Sequence, residues 1–226
     1  MGQVKRIGVL FLIVTVVLLT PFIFTDIAHS SLNVYIVPQS VLVHKSDLTN
    51  ALPAFQAAVS EDFAPLWGQD AHLIVTDTPP SKGWAVLVQD YSDVFGALGY
   101  HGLKGDIPFS KVFAADTVGY GETWQGCLTH ELFEMLADPY IDRLTLSTRL
   151  WLVEVADPVE ADDFNYTRTA LDGSLVPISD FVTPAWYHKG THKVYDFKRH
   201  VRKPFQILHR GYASYWENNG WHQLVG

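Results

Sequence analysis

The chain has 226 residues, 48% of them hydrophobic, and a formal net charge of −8. Length and apolar content suit one cored domain, or one domain with an appendage. The negative balance argues against a general nucleic-acid binder, which needs clustered positive charge, and a single cysteine, Cys127, excludes an internal disulfide framework.

Lys5 and Arg6 precede an uncharged apolar stretch over residues 7–25. About 18 apolar residues suffice to span a bilayer and exceed most signal-peptide cores. The basic flank predicts a cytoplasmic N-terminus with the remainder exported. Residues 1–30 are therefore expected to form a single-pass transmembrane anchor, or a secretion signal if cleaved at Ala28-His29-Ser30. Residues 31–226 are expected to form the functional domain, outside the cytoplasm.

That domain opens with a β-rich run over 33–38. Residues 49–66 are mostly helical, with Leu52, Phe55, Ala58, Val59 and Phe63 on one side. Strands follow over 72–77, ended by Pro79-Pro80, and over 84–90, apolar on both faces and hence central. Residues 100–108 read as a glycine-containing loop, with His101 a surface loop residue or, by virtue of its place, a functional one. A fourth strand over 111–116 leads through Gly119-Tyr120-Gly121 into the next helix. Strands layered on helices in this order imply an α+β fold. The strand just before that helix is expected to be a sheet edge, able to pair with an extended peptide.

The helix is Thr129-His130-Glu131-Leu132-Phe133-Glu134-Met135-Leu136-Ala137-Asp138-Pro139. His130 and Glu134 lie four apart, one above the other on a helix face. Leu128, Leu132, Met135 and Leu136 form an apolar stripe beside them, and Pro139 stops the helix. Zinc peptidases use His-Glu-x-x-His on such a helix: two ligands grip the metal and the Glu serves as base. Here Glu134 replaces the second His. A carboxylate still ligates zinc, weakens its Lewis acidity and admits harder ions such as manganese. The alternative is an ordinary amphipathic helix whose acids face water.

A third ligand is offered by residues 150–158, Leu-Trp-Leu-Val-Glu-Val-Ala-Asp-Pro, which read as an interior strand. Glu154 is a carboxylate among apolar neighbours and needs a cation, a metal or a hydrogen-bond partner. Asp157 is expected to orient a ligand or cap the strand end. Cys127 reads as a small packed residue.

His-Glu-Leu-x-Glu-x-x-x-Asp-Pro followed by Glu-Val-x-Asp-Pro resembles a group of zincin-like proteins of bacteria and phages. A similar pairing occurs in the plant EXORDIUM, or phosphate-induced, secreted proteins. The resemblance spans roughly residues 110–160. It implies a zincin-like mixed sheet packed on the ligand helix, one zinc ion held by His130, Glu134 and Glu154, and Glu131 as general base. It carries no substrate.

Farther on, Glu154, Asp157, Glu160, Asp162 and Asp163 form an acidic stretch that suits either a solvated loop or an extra cation such as calcium. Residues 181–187 are an aromatic loop, a possible substrate wall. Residues 188–203 hold six of the sixteen Lys+Arg residues, and His188 or His192 stands in reserve as a metal ligand. Phe205-Gln206-Ile207-Leu208 and Gly211 to Trp216 read as a closing hairpin with Asn219-Gly220 as a turn signal. Tyr120 reads as a packed aromatic, or as a stabiliser of negative charge near the helix.

Two functions are compatible with these residues. One is a membrane-anchored or secreted zinc-dependent hydrolase, peptidase-like, acting on a peptide or an envelope polymer. The other is a non-catalytic cell-envelope binding protein whose metal is structural or vestigial, with a coordination sphere closed by a fourth protein ligand.

Overall fold

β1 (Leu32–Pro38) pairs in parallel with β2 (Ala71–Val75) on one side and β3 (Trp84–Gln89) on the other. This follows from its run of β-branched and apolar residues, of which Val34, Ile36 and Val37 are buried. The computed structural model describes residues 32–190 and 193–226. The segment expected to anchor the chain lies outside them. Among the described residues no helix is long and apolar enough to cross a membrane.

β3 pairs in parallel with β5 (Ile107–Phe113), and β5 pairs antiparallel with β4 (Gly99–Lys104). The sheet order is β2-β1-β3-β5-β4. Two sequence expectations are corrected here. The strand preceding the motif helix, β5, is interior and not an edge. The edge is β4, within the stretch that reads as a loop. Its glycines disguised it: Gly102 leaves room for the Phe109 ring, which a Cβ would approach to 3.2 Å. Gly105, at φ 64°, and Asp106 make the two-residue turn between Lys104 and Ile107.

α1 (Lys45–Ala57) runs on through a π-helical segment, Ala58–Phe63, into a last turn, α2 (Ala64–Trp67). Gly68 ends it in the left-handed conformation. The π segment carries Asp62 inward. There the Tyr166 hydroxyl donates to Asp62 at 2.8 Å and the Arg168 guanidinium at 2.9 Å. After β5 comes α3 (Ala114–Tyr120), then α4 (Trp124–Ala137), the motif helix. α4 starts where the Asp162 carboxylate accepts the Thr123 N–H at 2.7 Å and stops at Asp138-Pro139.

α4 packs on β5, β4 and β3, and α1 on β1 and β2. Leu128, Leu132, Phe133, Met135 and Leu136 of α4 are all buried. Phe133 stacks on Phe63 with ring centres 5.0 Å apart and meets Phe181 edge-on at 4.9 Å. Ser110 of β5 donates from its hydroxyl to the Glu131 carbonyl at 3.1 Å, which fixes the rotation of α4 against the sheet.

A second, antiparallel sheet has the order β11-β10-β7-β6, from β6 (Leu144–Leu146), β7 (Leu150–Leu152), β10 (Tyr212–Glu217) and β11 (Gly220–Val225). β8 (Tyr166–Thr169) and β9 (Leu175–Ile178) form a separate hairpin. The fold class is α+β. Three strand bounds differ from expectation, the first being the strand over 111–116, which is Ile107–Phe113 because residues 114–116 already turn in α3. The interior strand over 150–158 ends at Leu152; Val153 adds one last ladder bond to the Arg143 carbonyl, and Asp157-Pro158 then opens a 3-10 turn. The closing hairpin is β10–β11 with Asn218-Asn219 as its turn, both at positive φ, and 205–208 is not a strand.

Candidate metal centre

The sequence trio His130, Glu134 and Glu154 is not the trio that converges. Glu134 is buried and uses its two carboxylate oxygens on two different sides. On one side, His130 Nε2 lies 3.4 Å from Glu134 Oε1 and 3.3 Å from Asp157 Oδ1. On the other, His101 Nδ1 lies 3.6 Å from Glu134 Oε2, and His101 Nε2 lies 3.7 Å from Glu154 Oε2. His130, Glu134 and Asp157 form one group that could hold a metal, and His101, Glu134 and Glu154 form another. His188, the reserve ligand, is exposed and belongs to neither; His192 lies outside the described residues.

Four elements bring these side chains together. α4 presents His130, Glu131 and Glu134 on one face. The segment after β7 supplies Glu154 and Asp157. It is tied to α4 because the N–H groups of Ala156 and Asp157 donate to Glu134 Oε1 at 3.2 and 3.3 Å. The edge strand β4 supplies His101, whose side chain is only 6% exposed. β10 supplies Tyr212 at the wall of a cleft of about 370 Å³, which His130, Glu131, Cys127, Glu160 and Arg210 also line. Tyr120, expected to be packed, stands exposed at its rim.

Glu131 sits in this cleft wall and is buried. Its carboxylate lies against Gly99: a Cβ there would be 2.6 Å from Glu131 Oε1 and 2.7 Å from Cγ. A glycine at this position of the edge strand is what gives the carboxylate its place. Glu131 Oε2, Glu154 Oε2 and His101 Nε2 are buried without a hydrogen-bond partner. Buried polar atoms are normally satisfied, so three orphans on neighbouring acids and a histidine point to a ligand as their partner.

The electrostatics lead the same way. Burial, together with the Glu134 charge, pushes the Glu131 carboxyl up to about 8 and that of Asp157 up to about 7. Burial and the surrounding carboxylates raise Glu154 well above its usual range. Glu134 is the exception: burial opposes its charge, but His130 and His101 hold it well below the carboxylate range. Both histidines are raised in turn, against their burial, by the Glu134 carboxylate. Four buried acids beside two imidazoles are what a divalent cation would balance once the acids ionise.

The donor set therefore fits a metal, and its spacing fits zinc. Ligand atoms about 2.0–2.1 Å from a common tetrahedral centre lie about 3.3–3.4 Å apart, the separations seen around His130 Nε2. Cys127 stays out of it. Its thiol donates to the Leu98 carbonyl at 3.3 Å, and burial pushes it up to about 12, so it is inert. Of the acidic stretch, Glu154 and Asp157 serve the centre and Asp162 caps α4.

A third cluster, Asp180, Asp196 and His200, is already satisfied internally. Asp180 Oδ1 accepts the N–H groups of Phe181 and Lys198, and Oδ2 faces His200 Nδ1 at 3.2 Å. Asp196 accepts the N–H groups of His200 and Val201. Burial and Asp196 push Asp180 up to about 9, so it keeps a proton at neutral pH.

His101 and Tyr212 had no strong signal as site residues. The available one for His101 was the pair of runs flanking Gly105-Asp106, a two-residue hairpin turn that would have made 99–104 a strand. No family model matches the chain, no curated protein matches it, and no solved structure matches it.

Proposed function

We propose that this chain is a zinc-dependent hydrolase with a zincin-like arrangement, peptidase-like in its reaction, exported or held at a membrane by its N-terminal segment. The observation that carries this is His130 Nε2 standing 3.4 Å from Glu134 Oε1 and 3.3 Å from Asp157 Oδ1, beside the buried, unpartnered Oε2 of Glu131. Asp157 takes the place first given to Glu154. An ion held by His130, Glu134 and Asp157 supplies Lewis acidity toward a carbonyl oxygen and acidifies water.

The chain's own groups do the rest. Glu131 accepts the proton of the attacking water on its carboxylate and returns it to the leaving amine; burial gives it the basicity that this needs near neutral pH. Tyr212 keeps its proton, since burial and the nearby carboxylates raise its hydroxyl, and it offers a donor to negative charge developing on the substrate. β4, the antiparallel edge, presents an unpaired strand side along which an extended peptide can lie. The closed, non-catalytic centre has less support, because His188 is exposed and does not approach the ligands.

The test is zinc content of the purified chain together with cleavage of a mixed quenched-fluorescent peptide library, with and without chelator. Bound zinc and chelator-sensitive cleavage, both lost in His130→Ala, are expected. A chain that binds zinc yet leaves every peptide intact would return the protein to the binding-module reading. Gly99→Ala gives a finer check. Its methyl displaces the Glu131 carboxylate, so cleavage should fall on the order of 10²-fold, the scale of a misplacement near 1 Å, with zinc content unchanged. Unchanged cleavage would mean that the Glu131 position does not matter.

A further inference from the structure

We infer that the centre takes two divalent cations, not one, with Glu134 bridging them. This rests on the first site proposed above, with which it shares Glu134. The second ion is held by His101, Glu134 Oε2 and Glu154, and is of the zinc–manganese class that a mixed imidazole and carboxylate set prefers.

Three observations carry it. First, Glu134 belongs to both ligand groups: Oε1 lies beside His130 Nε2 and Oε2 on the His101 side, where one ligand atom each from His101, Glu134 and Glu154 lie within 4.8 Å of one another. A carboxylate used on both sides is the usual bridge of two-metal hydrolases, whose ions lie about 3.5–4 Å apart.

Second, His101 Nε2 and Glu154 Oε2 are both buried, both without a hydrogen-bond partner, and face each other at 3.7 Å. That is too long for a hydrogen bond. It is a separation that two metal bonds of about 2.0–2.2 Å reach across. The His101 side chain is 6% exposed and that of Glu154 11%, so water does not readily take the partner's place.

Third, an edge strand (His101), an α-helix (His130, Glu134) and an irregular segment (Glu154, Asp157) send five ligating side chains to one place, more donors than one tetrahedral ion takes.

The experiment is titration of the metal-free full-length chain with Mn²⁺, read as bound equivalents and by electron paramagnetic resonance, beside His101→Gln, Glu154→Gln and Asp196→Asn. Expected are two equivalents in the parent, with a spin-coupled signal in place of the isolated six-line spectrum. His101→Gln and Glu154→Gln should each bind one equivalent and show the isolated spectrum, and Asp196→Asn should behave as the parent. The coupled signal is read on the parent alone, so a variant that fails to fold does not remove the test. One equivalent with an isolated spectrum in the parent overturns the second ion and leaves the first site standing. Two uncoupled equivalents, one of them lost in Asp196→Asn, also overturn it, by placing the second ion at the Asp180 cluster. No bound metal at all overturns both this inference and the hydrolase reading.

Discussion

Glu131→Gln is expected to reduce peptide cleavage by roughly 10²–10⁴-fold, the usual contribution of a positioned proton acceptor, while zinc content stays at the parent level. The separation of the two readouts follows from geometry. Glu131 is not in either ligand group, so the amide leaves the metal grip untouched. It retains the shape that fits against Gly99, which isolates the lost basicity from any repacking. The orphaned Oε2 has no hydrogen-bond partner to lose. Near neutral pH the metal-free chain keeps Glu131 protonated, so the amide replaces one neutral group by another and the melting temperature of the metal-free chain should not fall. Cleavage surviving at more than a tenth of the parent rate would show that the proton goes elsewhere. Loss of zinc along with cleavage would make Glu131 a ligand.

The metal-free chain should lose stability as pH rises from about 5 to about 8, and metal should reverse the trend. In the folded state Glu131, near 8, and Asp157, near 7, hold protons that the unfolded chain releases near 4. Glu154 is raised in the same sense, and so are His101 and His130 above their ordinary 6.5. Throughout that window the native state binds more protons than the unfolded one, so the slope of stability against pH is negative. Glu134 has the opposite sign, but its stabilisation is lost only on going below the ordinary carboxylate range. Each kcal/mol is worth roughly 2–4 °C at this length. A drop of about 5–10 °C between pH 5 and 8 is therefore expected in circular-dichroism melts with chelator present. With excess zinc the melting temperature should instead rise with pH, since the ligands must give up their protons to bind. A chelated chain that grows more stable from pH 5 to 8 would contradict the buried-acid picture.

Much of this fold was legible because local pattern and tertiary demand agreed. The four-residue spacing, the apolar stripe and Pro139 marked α4 nearly to the residue, and β1 and β3 showed in their β-branched runs. The failures have physical causes. Gly99 and Gly102 are in β4 for what they make room for, the Glu131 carboxylate and the Phe109 ring, and strand propensity does not register that reason. With the strand hidden, its histidine passed as a loop residue. Glu154 was favoured over Asp157 because alternation was carried past Leu152. The 3-10 turn at Pro158 ends that alternation and swings Asp157 round to His130. Which of two nearby carboxylates reaches His130 is decided by a backbone bend that periodicity does not encode.

The ligands come from β4, α4 and the segment after β7, stretches far apart along the chain. Only His130 with Glu134 and Glu154 with Asp157 are near neighbours, and two donors alone grip an ion weakly. The centre therefore cannot act as a seed for folding in the way a compact zinc finger does, since closing the loops to His101 and Asp157 costs entropy that the sheet must first repay. Loading of the proposed ions would be a late event on a finished scaffold. A chain made without metal should still reach its native topology and wait, its buried acids protonated, for the ion to arrive.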